Sequence, residues 1–126
     1  MSVQFFQCTK CKKLIGVIQP SACPTVCCGT EMRALVPNTS DGAGEKHVLV
    51  ITVSGSTVSV AVGSVAHPMQ DDHWIQWVAL ETDRGMQRKA LNPGDVPTAE
   101  FALLPGEKAV AVYEFCNKHG LWKADA

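Results

Sequence analysis

Residues 47–62, HVLVITVSGSTVSVAV, contain two β-strand patterns separated by a turn. Residues 47–53 are apolar and largely β-branched, and Ser54-Gly55-Ser56 has the composition of a turn. Residues 57–62 alternate valine with small residues, which is the period of a strand with one buried face. This stretch therefore predicts two consecutive strands joined by a turn.

Further strand patterns follow at short intervals along the chain. They cover residues 74–81, 87–91, 100–103 and 109–115, and Asn92-Pro93-Gly94 and Pro105-Gly106 punctuate them. No window has the periodicity of an amphipathic helix. Several short strands at this spacing predict an all-β sandwich of immunoglobulin-like type.

The N-terminal 36 residues predict a separate small module. Two short strand patterns, residues 4–7 and 14–18, flank a cysteine pair. A segment of this length cannot build a sufficient apolar core, so it needs a staple such as a metal ion. Residues 37–45, PNTSDGAGE, have the composition of a linker. We therefore expect a metal-held module over residues 1–36 and a β-sandwich domain over residues 37–126.

Composition and charge exclude several classes of protein. The chain has 126 residues, of which 46% are hydrophobic and 18% charged, so it can bury a core. A formal net charge of -1 argues against a nucleic-acid binder that works through a basic surface. No apolar run approaches the roughly 18 residues of a membrane span, and the N-terminus lacks a signal-peptide pattern. We expect a cytoplasmic protein without a membrane or nucleic-acid partner.

Five of the six cysteines lie in the first 28 residues, which in a reducing cytoplasm predicts a metal site. Cys8-x-x-Cys11 places two sulfurs on one tight turn, and Cys27-Cys28 supplies two more. Four thiolates suit a tetrahedral zinc or iron ion, and ligand type does not separate these two metals. Adjacent cysteines cannot form a second knuckle, so the sulfur–metal–sulfur angle should open on that side. Cys23 is an extra thiol that can substitute for Cys27, although motif position favours Cys27 and Cys28.

The histidines and the remaining cysteine form a second candidate site. They are His47, His67, His73, Cys116 and His119. Each histidine alone has an ordinary explanation as a surface or core residue, but all five side chains can lie at one end of a sandwich. Five ligands leave one octahedral position open, and an open position is the mark of a reactive site. Imidazole with thiolate suits iron better than magnesium or calcium.

Four segments of the chain resemble the signature segments of superoxide reductases. They are EKHV (45–48), GSVAHPM (63–69), HWIQW (73–77) and FCNKHGLWK (115–123). The four-cysteine module resembles a desulforedoxin-like domain. The two together, in this order, are similar to a two-iron desulfoferrodoxin, and the likeness covers essentially the whole chain.

This resemblance implies two iron ions per chain. The first iron would be held by Cys8, Cys11, Cys27 and Cys28. The catalytic iron would have four equatorial histidines and one axial cysteine, namely His47, His67, His73, His119 and Cys116. Glu45 would be able to take the sixth position in the ferric state, and Lys46 would lie near the open site. The sequence offers no argument for or against calcium.

The resemblance also implies an activity and partners. The reaction would be the one-electron reduction of superoxide to hydrogen peroxide, which serves oxygen detoxification. The electron donor would be rubredoxin or a similar small redox protein, and the chain would form a homodimer. Lys46 can attract the superoxide anion, and Cys116 can donate electron density opposite the open site.

Two other functions compete with the reductase. An iron-binding electron-transfer protein without superoxide as substrate is one, and the open position and Lys46 argue against it. A zinc-bound structural or interaction module is the other. Four histidines and a cysteine exceed what a structural zinc site needs, which argues against that function.

Overall fold

A computed structural model of the chain describes residues 3–39, 44–63 and 67–126, with the backbone alone for residues 44 and 45. Contacts within the chain divide it into two compact units, Met1–Val36 and Pro37–Ala126. The prediction of an all-β chain, with a small metal-held module followed by an immunoglobulin-like sandwich, is confirmed.

Residues 3–36, the described part of the first unit, form five short strands. They are β1 Gln4–Gln7, β2 Leu14–Val17, β3 Val26–Cys27, β4 Thr30–Glu31 and β5 Arg33–Ala34. Strands β2, β1 and β5 form one antiparallel sheet in that order, and β3 pairs with β4. Phe5, Cys8 and Met32 are the buried hydrophobic residues among those described in this unit. Three such side chains bury too little apolar surface to hold the unit together, which is why it needs a metal staple.

The described residues of the second unit form one helical turn and seven strands. They are α1 Gly44–His47, β6 Leu49–Ser54, β7 Thr57–Val62, β8 Ile75–Thr82, β9 Gly85–Ala90, β10 Thr98–Ala102, β11 Ala109–Cys116 and β12 Gly120–Asp125. The sheet orders are β10-β7-β6 and β12-β11-β8-β9, and the strand pairs are antiparallel. No helix of the described residues is long and apolar enough to cross a membrane.

The core lies between the two sheets and follows the alternation read from residues 57–62. Val58, Val60 and Val62 are at most 2% exposed, whereas the intervening residues remain half-buried. They join a buried cluster that includes Leu80 of β8 and Cys116 of β11. Burying one such valine stabilises the fold by about 1.5–3 kcal/mol. The apolar core therefore extends as far as the thiol of the second candidate site.

The structure differs from the sequence prediction at the start of the first sandwich strand. We predicted a strand from His47, but His47 ends the helical turn and the strand begins at Leu49. Leu49 opens the ladder opposite Val62 and is buried. The preceding turn directs the imidazole of His47 inward, where it is only 2% exposed. The apolar run alone did not distinguish these two conformations.

Two irregularities shape the end of the four-stranded sheet. Phe115 pairs with Trp77, but Cys116 pairs with Ile75, so β8 carries one extra residue at this point. Such a bulge bends the strand and redirects the residues beyond it. Residues 117–119 then form a three-residue hairpin turn, closed by the pairing of Cys116 with Gly120, whose φ is +78°. The C-x-x-H motif is thus a tight turn between two core strands.

Candidate metal centres

The structure brings the four cysteines of the first unit together. The sulfurs of Cys8, Cys11, Cys27 and Cys28 all lie within 4.8 Å of one another. A metal–sulfur distance of about 2.3 Å places tetrahedral sulfurs about 3.8 Å apart. Here the Cys11 and Cys27 sulfurs are 3.6 Å apart and those of Cys27 and Cys28 are 3.9 Å apart. These two separations are those of a tetrahedral four-sulfur site.

Backbone geometry aims these sulfurs at one point. The N–H of Cys11 donates to Cys8 Sγ at 3.4 Å, and the Cys8 N–H donates to the Lys13 carbonyl at 2.9 Å, which closes the first turn. Cys28 has a φ of +54°, in the left-handed region that non-glycine residues seldom adopt. That conformation turns the Cys28 side chain to the same side as its neighbour Cys27. Cys23 is exposed and is not part of the four-sulfur group.

The thiols of this cluster cannot all ionise without a cation. The hydrogen bond from the Cys11 N–H lowers the pKa of Cys8 to about 6, which makes it a thiolate at neutral pH. Its contact with the sulfur of Cys11 raises the pKa of Cys27 to about 12, and the same neighbour raises the pKa of Cys28. A divalent metal ion removes this conflict because coordinated thiols are deprotonated outright.

The second group of donors lies at one end of the sandwich. Atoms of His47, His67, Cys116 and His119 all lie within 4.8 Å of one another. His73 is not in that group, but its ring packs against His67 and His119, with centroids 4.9 Å away in both cases. His47 closes the cycle, 4.6 Å from His67 and 5.1 Å from His119. The four imidazoles therefore form a ring in which neighbours meet at steep angles.

Hydrogen bonds leave one nitrogen of the buried histidines without a proton. The Nδ1–H of His47 donates to Glu114 Oε2 at 3.0 Å, and that of His67 donates to the Pro68 carbonyl at 2.6 Å. Nε2 of each is then the unprotonated nitrogen. Nε2 of His67 and Nε2 of His73 are buried and have no hydrogen-bond partner among the described residues. Buried ring nitrogens without a hydrogen-bond partner are candidate metal donors.

The nearest pair of ring nitrogens has the spacing of two metal ligands. Nε2 of His47 lies 3.0 Å from Nδ1 of His119. Two nitrogens about 2.1 Å from one ion, at a right angle, lie about 3.0 Å apart. Nδ1 of His119 also lies 3.9 Å from Cys116 Sγ. The donor set thus offers Nε2 from three histidines, Nδ1 from His119, and one sulfur.

Burial keeps the imidazoles neutral. Burial, followed by the nearby charge of Lys46, lowers the pKa of His47 to about 4. Burial likewise lowers the pKa of His67 to about 4 and lowers the pKa values of His73 and His119. Neutral imidazole is the metal-binding form, so the site is ready for a cation at neutral pH.

Cys116 is fully buried at the end of β11. Burial raises the pKa of its thiol, and the backbone N–H groups of Lys118 and His119 oppose that shift by hydrogen bonding to the sulfur. The sequence predicted donors to this sulfur among residues 117–119. The N–H of Asn117 instead donates to the Trp74 carbonyl at 3.4 Å.

Lys46 and Glu45 precede His47 in the helical turn. Lys46 is half-buried, and its charge contributes to the lowered pKa values of His47 and His119, so it lies close to the donors. The predicted position of Glu45 as a sixth ligand concerns a side chain outside the described residues.

Two residues that support the site were not selected from the sequence. Glu114 is fully buried and accepts from His47, and its carboxyl group interrupts an otherwise largely apolar strand, AVAVYEFC. Trp122 stacks on His47 with ring centroids 4.7 Å apart and 3° between planes, while its indole N–H donates to the His119 carbonyl at 3.1 Å. A glutamate within a mostly apolar strand pattern was the sequence signal that could have identified Glu114. Stacking of Trp122 was not readable because it depends on the packing of two separate segments.

Comparisons with known proteins identify the relatives of this chain. A protein-family model described as desulfoferrodoxin matches residues 39–125. A desulfoferrodoxin from Nitratidesulfovibrio vulgaris is 45% identical over 123 residues, covering 98% of this chain and 96% of its own. The crystal structure of the superoxide reductase from Treponema pallidum superposes with a TM-score of 0.83 at 39% identity, covering 99% of this chain and all of that one.

A smaller structural relative matches part of the chain. The superoxide reductase from Giardia intestinalis, described as a one-iron enzyme, has a TM-score of 0.56 at 30% identity and covers 65% of this chain and 97% of its own. Two of these relatives match along nearly the whole chain, and this chain also has a four-sulfur group and a histidine–cysteine group. The chain belongs to the desulfoferrodoxin family.

Proposed function

We propose that this chain is a superoxide reductase, which converts superoxide to hydrogen peroxide by adding one electron and two protons. The observation that carries the proposal is the ring of four neutral imidazoles, with orphaned nitrogens, beside one buried thiol. The likeness to the Treponema pallidum superoxide reductase along both whole chains supports it.

The two donor sets suit one iron each. We assign the first iron to Cys8, Cys11, Cys27 and Cys28, and the second to His47, His67, His73, His119 and Cys116. Iron held by the second set would supply the electron and would bind a small anion. The mixture of imidazole and thiolate suits iron better than the oxygen-preferring ions magnesium and calcium.

The protein's own residues bring the substrate to the site and hold the ligands. Lys46 gives a positive charge beside the ring, which raises the local concentration of superoxide in a unit rich in acidic residues. Glu114 fixes the tautomer and direction of His47, and a carboxylate partner raises the basicity of an imidazole ligand. The N–H groups of Lys118 and His119 stabilise the thiolate of Cys116 in its buried position.

Further parts of the proposal concern the partners and the domains. Residues 1–36 would serve as a desulforedoxin-like iron module and residues 37–126 as the reductase domain, with Glu45 as the sixth ligand in the ferric state. Rubredoxin or a similar small redox protein would supply the electrons to a homodimer. A cytoplasmic location suits the four-thiolate site, because a reducing compartment keeps those cysteines available.

The decisive experiment is a pulse of superoxide delivered to the anaerobically reduced protein. Visible absorbance, peroxide and oxygen are recorded together, on protein with a measured iron content of about two per chain. We expect rapid oxidation of the histidine–cysteine centre, one peroxide per superoxide, and no oxygen. A Cys116→Ser variant serves as the control for that centre. Fully loaded protein that does not react with superoxide would indicate an electron-transfer protein instead.

A further inference from the structure

We propose that Asn117, which is not a ligand, is a positioning residue for His73. This inference rests on the proposed metal site. The Asn117 side chain contacts the backbone on both sides of His73: its Oδ1 accepts from the Trp74 N–H, and its Nδ2–H donates to the Asp72 carbonyl, both at 2.9 Å. The amide thus clamps the peptide groups that flank one imidazole.

His73 has little other support from regular structure. It lies before β8, and its own backbone groups exchange hydrogen bonds with Gln70, at 2.9 and 3.0 Å, within a local turn. The strand pairing of β8 with β11 ends at Ile75, just after the bulge. The side chain of Asn117 continues the ladder by two residues, in the place of a strand that the turn does not provide.

The clamp links separate parts of the donor set. Asn117 directly follows Cys116 and lies two residues before His119. One short segment therefore carries two candidate donors and also holds a third. The side-chain amide supplies both the acceptor and the donor that this contact needs. An aspartate would keep the bond from the Trp74 N–H but would place negative charge against the Asp72 carbonyl.

The matched control is Asn38, which makes the same pair of contacts elsewhere in the unit. Its Oδ1 accepts from the Lys123 N–H at 2.9 Å, and its Nδ2–H donates to the Lys123 carbonyl at 3.2 Å. Both asparagines are exposed. Asn38 has a φ of +63°, so Asn38→Gly removes the amide without backbone strain. This variant loses two comparable bonds but does not touch the residues flanking His73.

The test measures how fast the oxidised full-length protein loses iron to a chelator. The thiolate absorption of the histidine–cysteine centre monitors that loss. We expect Asn117→Ala to release iron about 10-fold faster, with a changed ferric EPR signal, because groups that orient a ligand affect metal affinity by about 10–100-fold. Asn117→Asp should fall between Asn117→Ala and wild type. Asn38→Gly should stay within about 2-fold of wild type, since the described hydrogen bonds of Asn38 reach Leu121 and Lys123 and no candidate ligand.

A double-mutant cycle shows whether the effect passes through His73. In a His73→Ala background we expect Asn117→Ala to change iron release by less than about 2-fold. Equal effects in the two backgrounds, or an equal loss in Asn38→Gly, would overturn the assignment. Iron release needs no superoxide, so failure of the reductase function and failure of this inference give separate results. Thermal unfolding of each variant identifies one that does not fold, and Asn117→Asp then replaces Asn117→Ala in the cycle.

Discussion

The buried carboxylate of Glu114 should have opposite effects on the iron site and on the metal-free fold. Glu114 is fully buried, its Oε2 lies 3.0 Å from His47 Nδ1, and its Oε1 has no partner among the described residues. Glu114→Gln keeps an acceptor of the same size but removes the charge. The variant therefore separates the electrostatic role of the carboxylate from its role in aiming the imidazole.

The loss of charge should weaken iron binding. Hydrogen bonds to charged groups contribute about 1.5–3 kcal/mol, against about 0.5–1.5 kcal/mol for neutral pairs. The difference of about 1–1.5 kcal/mol corresponds to roughly 10-fold faster release of iron to a chelator. Glu114→Leu removes the acceptor as well and leaves a buried N–H unpaired, so it should release iron about 100-fold faster.

The same substitution should stabilise the metal-free protein. Burial raises the pKa of Glu114 from 4.5 to about 9. Between those values the unfolded chain ionises its carboxyl while the folded chain retains the proton, so this group lowers stability as pH rises. At pH 7 the cost is about 3 kcal/mol, and Glu114→Gln removes it.

Urea unfolding of metal-free protein and chelator-driven iron release measure these two effects. Glu81→Gln is the matched control, because Glu81 is also buried in the four-stranded sheet and accepts from the Tyr113 hydroxyl at 3.0 Å without contacting a candidate ligand in any described bond. Its iron release should equal that of wild type. A Glu114→Gln variant that is less stable without metal, or that releases iron at the wild-type rate, would refute the reasoning.

Three further predictions concern other features of the site. Lys46→Ala should slow superoxide capture at low ionic strength and flatten its salt dependence, measured by pulse radiolysis; an unchanged rate would remove the steering role. Trp122→Phe and Trp122→Leu both lose the indole donor, but only Trp122→Phe keeps a ring that can stack on His47. Trp122→Phe should therefore release iron more slowly than Trp122→Leu, and equal rates would exclude a role for stacking. Metal-free protein should lose stability as pH falls from 6.5 towards 4, by up to about 3 kcal/mol each for His47 and His67, whose folded pKa values of about 4 lie below the unfolded value. Urea titrations at several pH values measure this change, and a constant free energy of unfolding would contradict the prediction.

Strand periodicity predicted most of the sandwich because its alternation is a local property. Residues 57–62 form β7 with the expected buried valines, and residues 109–115 fall within β11. The helical turn ending at His47 was missed, because an apolar run after a histidine has the same composition whether or not the strand includes it. The ladder between Leu49 and Val62 decided that boundary.

The metal-binding chemistry was present in the sequence through residue type and spacing. Cys8-x-x-Cys11, Cys27-Cys28 and Cys116-x-x-His119 each place two donors on one turn, and such spacing depends only on the local backbone. The choice of nitrogen on each histidine was not present there. It depends on which acceptor the other nitrogen reaches, such as Glu114 from a strand 67 residues away.

The sequence by itself therefore determined the donor types and the all-β class, because these follow from side-chain chemistry and short-range periodicity. Tertiary structure alone decided how the donors are held. Glu114, Trp122 and Asn117 act on histidines that are distant from them in the chain or on another strand, and only packing brings them together. Orientation of a ligand is a property of its neighbours in space, and strand order and the bulge at the end of β8 set those neighbours.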